Sequence, residues 1–129
     1  MSAATQAAPM PSVIERLFRA MNAHDVPGML GCLAPDYTAS RPCHRSIRED
    51  REQVRAIWTD LFANVPDFHA ELLRWAAGDE SVWTEWEWSG THADGGPFEM
   101  RGVIVYGVAD GLLRWGHLYM EPVVVAQDI

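Results

Sequence analysis

Apolar positions recur at helical spacing in the first half of the chain and at strand spacing in the second. Val13, Ile14, Leu17, Phe18 and Met21 form one helical stripe, and Ser12 with Glu15 three residues on reads as a capping box in front of it. This helix is expected to end near residues 22–24. Asp25 can cap a second, short helix that tolerates Pro27 in its first turn, buries Met29, Leu30 and Leu33, and stops at Pro35. Residues 37–40 read as a short extended piece and 41–48 as a loop. A third helix is predicted over about 50–63, with Val54, Ile57, Trp58, Leu61 and Phe62 on one face.

From Asp67 the period changes to two. Strands are predicted over 68–75, 81–89, 98–108 and 112–121, separated by Gly78 and Asp79, a loop at 93–96, and Asp110 with Gly111. Three N-terminal helices followed by an antiparallel meander give an α+β domain whose helices cover one sheet face. The expected boundaries are a flexible segment at 1–11, the domain at 12–122 and a tail at 123–129.

Strand parity then sorts the chemistry. Over 81–89 one face carries Val82, Thr84, Trp86 and Trp88, and the other Trp83, Glu85 and Glu87. Over 112–121 one face carries Leu118 and Met120, and the other Trp115, His117, Tyr119 and Glu121. Unpaired carboxylates do not enter a core cheaply, so Trp86, Trp88, Leu118 and Met120 are expected inside. A hairpin centred on 93–96 sets Trp88 opposite Arg101, Trp86 opposite Val103 and Thr84 opposite Val105. That register makes Arg101 a cation among indole rings, either binding a ligand oxyanion or stacking on Trp88.

Composition narrows the partners. The chain has 129 residues, 48% hydrophobic and 22% charged, with a net charge of −8 at pH 7. That size suits one domain. The acidity argues against nucleic acid and anionic membrane surfaces. No apolar run approaches a membrane span, Met1 to Pro11 lacks the features of a signal peptide, and Cys32 and Cys43 form no CxxC pair, so a soluble cytoplasmic protein is expected. Six tryptophans point to an indole-lined pocket in which Trp58, Trp86, Trp88 and Met120 clamp a flat ligand, with core filling as the alternative. The five histidines show no metal-binding spacing, and no nucleophile elbow or phosphate loop occurs, so neither metal nor cofactor is expected. His117 can act as a base if its face is the inner one and Glu85 or Glu87 holds its ring; otherwise these groups form a polar outer face. Tyr37, Ser40, Arg41 and His44 lie near the expected pocket mouth.

Several segments together resemble the nuclear transport factor 2-like superfamily, and within it the SnoaL-like polyketide cyclase group. They are Asp50-Arg51-Glu52-Gln53-Val54-Arg55, Val82-Trp83-Thr84-Glu85-Trp86, Met100-Arg101-Gly102-Val103, and Leu118-Tyr119-Met120-Glu121-Pro122. The resemblance covers about residues 12–122. It implies a cone-shaped fold, three helices on a strongly curved antiparallel sheet, with a pocket in its mouth and a convex face that pairs with a second copy as a homodimer. The residues that do chemistry in related enzymes are replaced here. Similarity to steroid isomerases places Leu17, Ser40 or Arg41, and Val103 where their tyrosine, base and acidic donor stand, and Trp58 where they have a second tyrosine. Similarity to limonene-type epoxide hydrolases places Trp86, Trp88 and Leu118 at an arginine and two aspartates; Leu118 also replaces the acid of a SnoaL-type cyclase. The resemblance implies a cofactor-free cyclase, isomerase or hydrolase. The residues themselves, read by strand parity and by the expected pocket mouth, give Arg101, His117 and Tyr37 as catalytic candidates and Trp58, Thr84, Trp86, Trp88, Val103, Leu118 and Met120 as ligand-binding candidates. A non-catalytic binder of an aromatic or polycyclic metabolite is the alternative, and an interaction protein using its outer sheet face is a third.

Overall fold

The computed structural model describes residues 9–45 and 47–124, so the expectations for the segments at 1–8 and 125–129 lie outside the described residues. Three helices and six strands follow in the order α1 (Ser12–Asn22), α2 (Val26–Leu30), β1 (Leu33–Ser40), β2 (Arg48–Asp50), α3 (Arg51–Asn64), β3 (His69–Ala77), β4 (Ser81–Thr91), β5 (Pro97–Ala109) and β6 (Leu112–Pro122). One sheet takes all six strands in the order β2-β1-β6-β5-β4-β3. The α+β class is therefore as expected, with two corrections. The helices are not consecutive, because β1 and β2 separate α2 from α3. The sheet is mixed, because β1 runs parallel to β6.

The cause of both lies around Pro35. It does not stop a helix; α2 has already ended at Leu30, and Pro35 falls inside β1, at the register irregularity between Leu33 and Thr38. A residue without an N–H is tolerated where the ladder is interrupted. Beyond it Tyr37 and Ala39 are buried, and Thr38, Ala39 and Ser40 pair with β2 on one side and β6 on the other.

Helix α1 buries Val13, Ile14, Leu17, Ala20 and Met21. The expected Ser12 cap is absent: Ser12 is already helical, Pro11 is the cap residue, and its carbonyl accepts from the Ile14 N–H at 3.0 Å. Asp25 does cap α2, accepting from the Gly28 N–H at 3.0 Å. Asp50 and Gln53 close a capping box at the start of α3.

Helix α3 buries none of its residues fully. Its ends are tied instead. At the start, the Arg51 guanidinium donates to the Leu30 carbonyl at 2.9 Å. Near the end, Phe62 stacks on His24, rings 4.5 Å apart, and His24 bonds the Phe68 carbonyl at 2.8 Å. The last residue, Asn64, accepts from the Ala93 N–H at 2.7 Å.

The core lies between α1 and the helix-facing side of the sheet. Its polar relay is Thr84, whose hydroxyl donates to the Ile104 carbonyl at 2.7 Å and accepts from Trp86 Nε1 at 2.7 Å. Both side chains are fully buried, and Phe18 meets the Trp86 ring edge-on at 5.8 Å. Thr84→Val removes the acceptor and strands a buried indole N–H, so it should destabilise by about 1–3 kcal/mol, whereas Thr84→Ser should cost well under half of that. Denaturant midpoints of the two variants check this; equal losses would mean that the methyl group, and not the relay, matters.

Candidate functional site

A cavity of about 330 Å³ lies under α3. Val54, Ile57, Trp58 and Leu61 form its roof, and Trp88, Phe98, Met100, Ile104, Leu118 and Met120 its sheet wall. The rings are locked at steep angles: Trp58 meets Trp88 at 5.2 Å and 70°, and Phe68 meets Trp88 at 5.8 Å and 60°. Tyr37, Arg41, Glu49 and Tyr106 supply the polar part of the lining.

Three of those polar groups come from the β1–β2 end of the sheet. Tyr37 and Ala39 share one side of β1, and Glu49 sits directly opposite Ala39. Arg41 follows on, its N–H bonded to the Ile47 carbonyl at 3.3 Å, so Arg41 and Glu49 are diagonal neighbours. They do not pair: among the described residues neither makes an ion pair. Arg41 Nε and Trp88 Nε1 are both buried without a hydrogen-bond partner.

Of the residues singled out from sequence, Tyr37, Arg41, Trp58, Trp88, Leu118 and Met120 line this cavity. Thr84 and Trp86 face the same way but lie in the packed core, outside the lining. Arg101, Val103 and His117 are on the opposite side of the sheet. The hairpin loop spans five residues, 92–96, not four, so Thr91 pairs with Pro97 and the register moves by one: Trp88 faces Met100, Trp86 faces Gly102 and Thr84 faces Ile104. Arg101 thus sits opposite Glu87 and lies 3.7 Å from it and 4.0 Å from Glu85, which also pairs with Arg74 at 2.8 Å. It is neither a cavity cation nor a partner of Trp88. His117 packs against Trp115, rings 4.7 Å apart, opposite Val105. Ser40 pairs with His117, and His44 approaches Glu121 at 3.6 Å; neither lines the cavity.

Sequence reasoning missed Glu49, because residues 41–48 read as a loop and the short strand after it carries no apolar alternation. The available signal was parity: once 37–40 is a strand, a hairpin return brings Glu49 to the side of Tyr37. Met100, Ile104 and Tyr106 were missed through the one-residue slip. The described residues contain no cluster of metal-ligating side chains. Cys32, buried, and Cys43, exposed, are both free thiols.

Burial holds the Tyr37 phenol well above its ordinary value of 10.0, and the Glu49 charge adds to this. Burial does the same to Tyr106. Both groups favour the neutral form in the fold, so stability is intact below the ordinary tyrosine range and falls as pH climbs past it. In a Tyr119→Phe variant, phenolate absorbance should therefore appear only together with loss of near-ultraviolet circular dichroism. Phenolate forming in a protein that keeps its dichroism would contradict the burial of both rings.

The SnoaL-like domain model matches residues 14–115. A search of curated proteins finds no match. Among solved structures, wild-type IdmH from Streptomyces antibioticus, titled a candidate polyketide cyclase, is 24% identical with a TM-score of 0.73 over 88% of this chain and 92% of that one. Its variant with a truncated 96–104 loop is 26% identical, with a TM-score of 0.71 over the same shares. A protein from Kribbella flavida, titled a candidate ketosteroid isomerase, is 18% identical, with a TM-score of 0.69 over 92% of this chain and 81% of that one. A match over most of its length, on a fold that builds a pocket between α3 and the sheet, shows that the chain belongs to the SnoaL-like domain family.

Proposed function

We propose that this protein holds a flat, largely apolar molecule in the cavity under α3 and acts on it as a cofactor-free enzyme of cyclase or isomerase type. The observation that carries this is the cavity itself: an apolar chamber with Tyr37, Arg41 and Glu49 gathered on one wall. Its volume of about 330 Å³ falls at the small end of ligand sites, which suits two fused rings or a short polyketide-like chain. The structural relatives titled as a polyketide cyclase and a ketosteroid isomerase support the same class of chemistry.

A second reading, a carrier that leaves its ligand unchanged, is favoured by Leu118. It lines the cavity where the resemblance calls for an acid, and no proton can pass through it. Nuclear magnetic resonance of a bound aromatic ketone separates the two: chemical change or proton exchange favours the enzyme, and an inert ligand the carrier.

The cavity is tested by calorimetry with acetonaphthone. Leu118→Trp, which fills the chamber from β6, should weaken binding roughly tenfold or more while leaving the circular dichroism unchanged. Equal affinity in the variant would place the ligand elsewhere.

The proposal includes a homodimer through the outer sheet face. Trp83 is 56% exposed there, beside Val105, and the neighbouring Arg74, Arg101, Glu85 and Glu87 carry both signs of charge that a two-fold copy needs. Light scattering should show Trp83→Glu as a monomer where the parent protein is a dimer; a parent protein that is monomeric would remove this part of the proposal.

A further inference from the structure

The outer face of the sheet carries a row of groups that the cavity does not use. Cross-strand pairing sets Trp83, Val105, His117 and Ser40 side by side across β4, β5, β6 and β1. Trp115 and Tyr119 flank His117 on β6. The Trp115 indole covers Gly107, where a Cβ would collide with it, and meets the His117 ring at 4.7 Å and 40°. Val105 is buried on this face, between Trp83 and His117, while Trp83 and Tyr119 stay exposed. His117 is thus a half-buried titratable ring set in an aromatic and aliphatic surface.

The histidines near this face differ in their partners. His44 lies 3.6 Å from Glu121 and His69 lies 3.2 Å from Glu71, so a proton on either ring meets a carboxylate. Among the described residues His117 makes no ion pair. Strand β5 presents Val103 and Val105 to it, with Arg101 further along, opposite Glu121. Strand β1 presents Thr38 and Ser40, and beyond them β2 brings Asp50 and Arg48. Asp50 is engaged as the cap of α3, accepting from the Gln53 N–H at 2.9 Å. Tyr119 is the titratable neighbour on β6 itself. Strand β4 adds Glu85 beyond Val103, but its carboxylate is held by Arg74 and Arg101. No free carboxylate in that set compensates a proton on His117, and Arg48 opposes one.

Resting on the homodimer proposed above, we infer that pairing of two copies through this face is governed by pH, with His117 as the switch. Neutral His117 joins Trp83, Trp115 and Tyr119 in an apolar contact, and Arg74, Arg101, Glu85 and Glu87 supply the ion pairs around it. Histidine is the side chain whose charge changes between about pH 5 and 8. A proton on His117 places one unpaired charge per copy in a surface from which pairing removes water, and burying such a charge is unfavourable. In separated copies the same charge stays in water. Protons and the second copy therefore compete, and by linkage the dimer is favoured above the histidine range and lost as pH falls through it. Carboxylates titrate below this range, so the ion pairs of Arg74 and Arg101 are the same at both ends of it.

Sedimentation equilibrium of the full chain at about pH 8 and about pH 5.5 tests the switch. The dimer dissociation constant should rise about tenfold or more on acidification, because a ring on each copy takes up a proton when the dimer parts. His117→Gln and His117→Phe have no ring to protonate and should shrink that change to roughly threefold or less, with unchanged circular dichroism. Either variant that pairs at the higher pH carries the comparison. A parent dimer with equal dissociation constants at both pH values overturns the inference and leaves the dimer standing. So does a change that persists at full size in the variants, which would assign it to His44 or His69. Loss of the dimer at the higher pH in both variants overturns it too, because an uncharged side chain at this position should be enough. A parent protein that is monomeric at the higher pH removes the dimer and the switch together.

Discussion

Helix α3 is anchored at its two ends and spans the space between them. Arg51 fastens its first turn to the end of α2, and the stack of Phe62 on His24, with the bond from Ala93 to Asn64, fastens its last. Its Val54, Trp58, Leu61 and Phe62 pack against the core from one side, yet none of its residues is fully buried. In a protein interior packed to crystal density, the gap beneath it is an energetic cost that a core-forming helix avoids. The tied ends hold the gap open. The chamber, its aromatic walls and the placing of Trp58 against Trp88 all follow from that bridge.

A second constraint separates charge from the chamber. Glu85 and Glu87 alternate with Trp86 and Trp88 along β4, so the sheet cannot bury both sets. The carboxylates take the outer face, where Arg74 and Arg101 neutralise them, and the indoles take the inner. Surface pairs of this kind contribute little stability; their value here is that they fix which side faces out. Charge enters the chamber only from the β1–β2 end, through Arg41 and Glu49.

Parity made much of this legible. The cost of burying carboxylates predicts that Trp86, Trp88, Leu118 and Met120 turn inward, and all four lie on the helix-facing side of the sheet. Parity gives a face, however, and not a depth: Trp86 and Trp88 share a face, yet Trp86 is sealed behind Phe18 and Thr84 while Trp88 reaches the chamber. Arg101 went astray because hairpin register depends on loop length, and one additional residue in 92–96 exchanges the two faces of β5. Glu49 was invisible for another reason. A three-residue strand such as β2 has too few positions to show a period, and only its pairing with Thr38, Ala39 and Ser40 reveals where it points.

The parallel pairing of β1 with β6 carries a consequence for how the domain comes together. Strands β1 and β2 join the other four strands only through β6. A parallel ladder between the two ends of a chain closes late, after local helices and hairpins have formed. A nascent or truncated chain lacking Leu112–Pro122 therefore has the aromatic wall from β4 and β5 but no neighbour on which to lay Tyr37, Arg41 and Glu49. The chamber's polar corner is joined to its aromatic wall through Leu112–Pro122, so the site is incomplete without that strand.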